Sequence, residues 1–350
     1  MSATRPTLAT IAEALSVSRM TVSNAFNRPD QLSPELRERV LAKARELGYA
    51  GPDPVARTLS RGRTGSIGVM FDAPLTVAFS DPAAVQLFTG VAMVCEQQEL
   101  GMALVPRIAG RDDALVRTAL VDGFVVYSMG HDDPRLRAIR DRQLPFVLVD
   151  HDPTEAPLTV NVEDRAAART TAEHLLALGH RRFGIVMGGD EPDASADQAL
   201  VTLEYHDIRE RLTGWREALE PAGVAWSGVA LASAPGFGRP TGRVAGGKLL
   251  DRGDRPTAIL CSSDVLALGV LDAAAERGVE VPTQLSVTGF DDIPDAVHAG
   301  LTTVRQPHQE KGATALRLLL DKAAPQASVL LPAEFIPRST TAPIPPHAHR

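Results

Sequence analysis

The 350-residue sequence predicts an α/β protein: an N-terminal all-α head of helix-turn-helix type, then a two-subdomain α/β body. Three observations carry this expectation. The first fifty residues hold three short amphipathic helical patterns and no strand signal. From Gly65 onward, short β-rich runs alternate with longer helical stretches, the pattern of parallel sheets with helices on both faces. Between the two lies Gly51-Pro52-Asp53-Pro54, which cannot be helical throughout.

The composition is that of a soluble globular chain, with 44% hydrophobic and 23% charged residues. No apolar run approaches the length that spans a bilayer, so no membrane partner is expected. Met1 to Pro6 leads straight into a polar helical segment, so no signal peptide is expected. The two cysteines, Cys95 and Cys261, sit in apolar surroundings and read as small buried hydrophobes in a reducing cytoplasm. The net charge of −7 hides an asymmetry: residues 1–65 hold ten Lys and Arg against six Asp and Glu, while the remainder holds 26 against 37. A basic head on an acidic body suits a protein whose head alone meets phosphates.

In the head, Thr7 caps a helix from Leu8 to Leu15 whose inner face is Leu8, Ile11, Ala12 and Leu15. Ser16-Val17-Ser18 breaks the pattern, and Ser18 caps a second helix, Arg19 to Phe26, with Val22, Ala25 and Phe26 inside. A turn of about three residues makes the two helices cross steeply, as in a helix-turn-helix. Ser33-Pro34-Glu35 opens a third helix with the stripe Leu36, Val40, Leu41, Ala44 and Leu47, and Gly48 closes it. Periodicity alone also allows a generic three-helix bundle. Against that, the second helix turns outward Arg19, Met20, Thr21, Ser23, Asn24 and Asn27, mostly short polar groups of the kind that bond base edges and phosphates.

After the linker, Val55 to Ser60 reads as a short turn of helix ended by Gly62. So few residues make no stable isolated helix, and a flexible linker is the alternative. In the body, strands are expected at Ser66–Phe71, Met102–Pro106, Gly123–Tyr127, Phe146–Val149, Arg182–Val186, Ala258–Cys261 and Leu285–Gly289. Helices are expected at Ala83–Leu100, Ala166–Leu178, Ile208–Ala222, Val244–Arg252, Val265–Arg277 and Gln309–Ala323. Two such sheets enclose a cleft, and ligands sit beyond the carboxyl ends of parallel strands.

Thr7-Leu8-Ala9-Thr10-Ile11-Ala12-Glu13, followed by Val17-Ser18-Arg19-Met20-Thr21-Val22-Ser23-Asn24-Ala25-Phe26-Asn27, resembles the headpiece of the LacI/GalR family. Ser33-Pro34 and Glu46-Leu47-Gly48-Tyr49 match as well. In the body, Leu178-Gly179-His180-Arg181, Arg211-Leu212-Thr213-Gly214-Trp215, Ser263-Asp264-Val265-Leu266-Ala267-Leu268-Gly269, Val287-Thr288-Gly289-Phe290-Asp291-Asp292 and Leu301-Thr302-Thr303-Val304-Arg305-Gln306-Pro307 resemble that family's effector domain, which is periplasmic-binding-protein-like. The likeness covers nearly the whole chain. It implies a cytoplasmic, nucleoid-associated homodimer that binds a near-palindromic double-stranded DNA operator and a small-molecule effector. The function implied is a transcriptional repressor answering to a sugar or related metabolite. The alternative is co-repressor dependence on a nucleobase or another non-sugar metabolite.

Position by position, the resemblance puts Arg19, Met20 and Asn24 at base edges and Thr7, Ser18, Thr21, Ser23 and Asn27 near phosphates. Met20 stands where a polar residue is more common, so it is limited to apolar contact such as a thymine methyl. Leu59, with Ala56 nearby, takes the place of a minor-groove wedge from paired hinge helices; an insertion around Pro52 shifts the hinge start. The effector would meet Asp72, Phe79, Asp150, Arg211, Ser263, Asp291 and His308. Arg211 and Asp291 suit neighbouring hydroxyls or a carboxylate, although Arg211 paired only with a neighbour is the alternative. Ser263 replaces a frequent asparagine and His308 a frequent aromatic; His308 also fits a satisfied structural histidine.

The implied domains are a headpiece over 1–50, a hinge over 51–64, and an effector and dimerisation domain over 65–342. That domain divides into an N-subdomain of about 65–161 and 307–327 and a C-subdomain of about 162–305 and 329–341, with crossings near Asn161, Gln306 and Ser328. Residues 343–350 read as a disordered proline-rich tail. No enzyme, cofactor or metal is expected: Ser262-Ser263 lacks a nucleophile elbow, the nine histidines lack ligand spacing, and Phe71-Asp72-Ala73-Pro74 is no phosphate loop.

Overall fold

The structure, a computed structural model, describes residues 6–51, 62–108, 113–130, 132–188, 196–323 and 326–344. The expected hinge residues Ala56 and Leu59, and the end of the tail, lie outside the described residues. The chain divides into two compact units, 1–64 and 65–350.

In the first unit, α1 (Leu8–Leu15), α2 (Arg19–Asn27) and α3 (Pro34–Glu46) surround a core of Ile11, Ala12, Val22, Ala25, Val40 and Ala44. Each start is capped by the expected residue: Thr7 accepts from Thr10 N, Ser18 from Thr21 N and Ser33 from Leu36 N. Ser16 ends α1 in the left-handed conformation, φ 53°, which turns the chain sharply into α2.

The second unit holds two parallel sheets. The six-stranded sheet has the order β11-β5-β4-β3-β1-β2, from β1 (Ser66–Phe71), β2 (Gly101–Val105), β3 (Phe124–Tyr127), β4 (Phe146–Val149), β5 (Leu158–Val162) and β11 (Ala327–Leu331). The four-stranded sheet has the order β7-β6-β8-β9, from β6 (Phe183–Gly188), β7 (Ala230–Ala234), β8 (Ala258–Cys261) and β9 (Ser286–Thr288). β10 (Thr303–Arg305) and β12 (Glu334–Ile336) form an antiparallel ribbon.

The short α4 (Val77–Ser80) leads into α5 (Pro82–Gln97); α6 (Ala114–Thr118) and α7 (Pro134–Asp141) follow in the same subdomain. The second subdomain adds α8 (Asp164–Ala177), α9 (Ala196–Thr202), α10 (His206–Leu219), α11 (Arg239–Leu250), α12 (Asp264–Glu276) and α13 (Pro294–His298). The chain then returns through α14 (His308–Leu320).

Crossings between subdomains fall after β5 and after β10, close to Asn161 and Gln306. The third differs from the expectation near Ser328. All of β11 pairs with β5, from Ala327 opposite Leu158 to Leu331 opposite Val162, and this edge pairing carries the crossing past Leu331. β5, β7, β10, β11 and β12 are additions to the expected strands.

Candidate functional site

On the head, α2 presents Arg19 and Met20 to solvent, and Met20 is 72% exposed. An apolar side chain at the N-terminal turn of a polar helix gains nothing in the monomer. The other outward groups are pre-set by local bonds: Ser18 and Thr21 hydroxyls at 2.8 Å, Asn27 Nδ2 to Ser23 Oγ at 3.2 Å, and Asn24 Nδ2 to Gln31 Oε1 at 3.1 Å. Thr7 is exposed and shares a reciprocal cap with Thr10. The face thus combines fixed hydroxyls and amides, α2 N-terminal amides of the kind that meet phosphates, and one exposed cation.

In the body, the carboxyl ends of β1, β8 and β9 point at a cleft between the subdomains. An outer cavity of about 1130 Å³ opens from it, and an inner cavity of about 140 Å³ lies deeper. Asp72, Arg211, Ser263 and Asp291 all line the inner cavity, together with Asp81, Asp207, Tyr127, Tyr205 and Gln306. Asp72 follows β1, Ser263 follows β8, and Asp291 follows β9 in a positive-φ turn, φ 135°.

Arg211 is the centre of the inner site. Its Nε donates to Asp164 Oδ1 at 2.7 Å and its Nη1 to the Ser262 carbonyl at 2.6 Å. Asp207, one helical turn earlier, lies 3.5 Å away, and the guanidinium stacks 4.0 Å over the Phe290 ring. So Arg211 both pairs with neighbours and faces the cavity. Burial pushes the Asp164 carboxyl up to about 7, with Arg211 opposing that shift, and raises Asp207 in the same way. Asp81 caps α5 through the Ala83 amide, and its pKa is raised by burial and then by Asp291.

Three expected residues do not line the cavity. Phe79 is 73% exposed: on the single turn of α4, Ala78 is buried and Val77 lines the cleft, which turns Phe79 outward. Asp150 is buried behind the site, where Lys311 Nζ donates to both its oxygens at 2.8–2.9 Å and to Gln306 Oε1 at 2.9 Å. His308 is buried at the start of α14. Its Nε2 stands 3.3 Å from Asp291 Oδ1 but off the hydrogen-bond direction, so neither ring nitrogen is hydrogen-bonded. Asp291 Oδ1 instead accepts from Gln306 Nε2 at 2.7 Å. Asp81, Asp207 and Tyr205 are lining residues that the sequence reading missed; of these, only Asp207 left a signal, four residues before Arg211 on one helix face. Among the described residues, no cluster of His, Cys, Asp and Glu could hold a metal ion.

A family model described as bacterial regulatory proteins, lacI family, matches residues 7–51, and one described as a periplasmic binding protein-like domain matches residues 172–341. The HTH-type transcriptional regulator Rv3575c of Mycobacterium tuberculosis is 45% identical over 325 residues, 90% of each chain. Among solved structures, the lac repressor dimer bound to operator and the anti-inducer ONPF is 26% identical at a TM-score of 0.76, covering 96% of this chain and 99% of that one. A complex of the transcriptional regulator CelR with cellobiose is 25% identical at a TM-score of 0.68, covering 96% and 100%.

Proposed function

This chain belongs to the LacI family of bacterial transcriptional regulators, and from that premise we propose that it is a repressor whose grip on DNA is set by a neutral polyol in the inner cavity. The observation that carries the ligand class is the charge around Arg211. Asp72, Asp81, Asp207 and Asp291 line the cavity with it, and its own charge is already matched by Asp164. Asp72 is itself paired with Arg135, so a phosphate or carboxylate entering there would meet Asp81, Asp207 and Asp291 beside an arginine that Asp164 already matches. Hydroxyl groups donate to those carboxylates and accept from the guanidinium, so a sugar or related polyol fits.

On this reading the chain is a cytoplasmic homodimer that carries out no reaction and needs no cofactor. Arg19, Met20 and Asn24 meet base edges of a near-palindromic operator, while Thr7, Ser18, Thr21, Ser23 and Asn27 meet phosphates. Ala56 and Leu59 act in the minor groove. Ligand biases the relative orientation of the two subdomains and so the spacing of the two hinges; differential affinity for the two orientations is the only drive available.

The test is fluorescence anisotropy on the operator during polyol titration. Wild type is expected to release DNA, whereas Arg211→Lys, which keeps the charge but loses the planar fork, retains operator affinity and loses the response. Loss of DNA binding by a folded Arg211→Lys protein contradicts the separation of the two sites. A second reading draws on Tyr205 and Phe237, aromatic residues that line the same cavity and suit a nucleobase co-repressor; there, adenine or guanine would tighten the complex rather than release it.

A further inference from the structure

The inner and outer cavities share a wall that includes Asp72, Asp81, Tyr205 and Phe237. A hydrogen bond crosses that wall from subdomain to subdomain: Tyr205 Oη donates to Asp72 Oδ2 at 2.7 Å. Its two ends are held differently. Asp72 is fixed from behind by Arg135 Nη2 at 2.5 Å, and Arg135 is itself gripped by Asp133 and the Phe71 carbonyl. Tyr205 stands between α9 and α10 with its ring edge-on to Phe237, centroids 5.7 Å apart. Phe237 is carried between two glycines, and Gly236 has φ +88°, a conformation open to glycine. A fixed acceptor on one wall thus faces a single donor on the other, the Tyr205 hydroxyl, whose ring abuts Phe237.

We propose that the Tyr205–Asp72 hydrogen bond is the bolt of the ligand site. Closed, it ties the subdomains together across the wall that the two cavities share and narrows the passage between them; open, it lets a polyol pass. Tyr205 is then the positioning residue that sets ligand exchange, a role that rests on reading the inner cavity as the ligand site. Burial and the neighbouring Asp72 push the phenol's pKa up, so Tyr205 remains a donor through the physiological range.

Hydrogen–deuterium exchange on the full chain, without ligand, compares wild type with Tyr205→Phe, which keeps the ring and deletes only the hydroxyl. Amides of 73–77 and 204–208 are expected to exchange about ten-fold faster, as local opening becomes easier by one decade, while 8–46 keep their rates. Unchanged exchange at the wall overturns the bolt. A uniform rise across the body with a lowered melting temperature gives Tyr205 a merely structural role and overturns it too. A second arm titrates D-glucose, D-ribose and sorbitol in stopped flow, where binding and release both accelerate in the variant. If none of these binds either protein, the polyol reading fails while the exchange arm still decides the bolt.

Discussion

A guanidinium buried as deeply as that of Arg211 persists because Asp164 and the Ser262 carbonyl accept from it. Truncation strands a buried carboxylate, so Arg211→Ala is expected to lose about 3 kcal/mol in denaturant unfolding, which is why the lysine variant is the cleaner functional probe. Met20 is the opposite case. Met20→Ala touches no core, so its unfolding should stay within about 0.5 kcal/mol of wild type. Its operator affinity should fall by about 1 kcal/mol with relaxed preference at one base pair, read by anisotropy on base-substituted operators. His180 bonds Thr257, Ser286 and the Ala342 carbonyl, and burial pushes its pKa down to about 4. The unfolded state, titrating near 6.5, takes up the proton first. The contribution of His180 is therefore complete above about pH 6.5 and lost as pH falls toward 4. Asp164 and Asp264, pushed up to about 7 by burial, act in the opposite sense: their contribution is present at low pH and lost as pH rises through 7. The difference between wild type and His180→Gln isolates the histidine, and denaturant melts from pH 7.5 to 4.5 should show it shrinking by roughly 2 kcal/mol.

At the scale of elements, glycines set the helix pairs that hold each subdomain. α5 and α14 cross where Gly90 meets the Gln309 carbonyl and Gly312 meets the Leu87 carbonyl, with no room for a Cβ on either. α11 and α12 repeat the arrangement with Gly242 and Gly269. Gly312→Ala must push α14 off α5, and a cost of about 2 kcal/mol is expected from overpacking, seen as a lower melting temperature; an unchanged melt would mean that the helices separate freely. α1 and β1 have the bounds their periodicity predicted, because caps and alternation there agree with the packing. β7 was not legible because Ala-Leu-Ala-Ser-Ala carries no β-branched or aromatic residue; its strand conformation comes from pairing with β6. β11 was hidden because it is an edge strand with an exposed Leu330. In the cleft, Arg211, Asp291 and Ser263 stand in sequence motifs and line the inner cavity; Asp72, which lines it too, was legible through the family resemblance and not through a motif. Tyr205 and Asp81 belong to no motif and reach the cavity only through tertiary placement.

At the scale of the whole molecule, one head with a three-helix core reads too few base pairs to discriminate among genomic sites, so function requires two heads related by a two-fold axis. The acidic body and basic head agree with contact through the head alone. The most direct test of paired-head recognition is selection of DNA from a random pool by the purified full-length protein at moderate salt, with and without a metabolite extract, because phosphate contacts are salt-sensitive. The expected result is enrichment of a two-fold symmetric site of about 14–20 base pairs, the span of two major-groove half-sites. Enrichment of an asymmetric site, or of none under either condition, contradicts a dimeric operator reader.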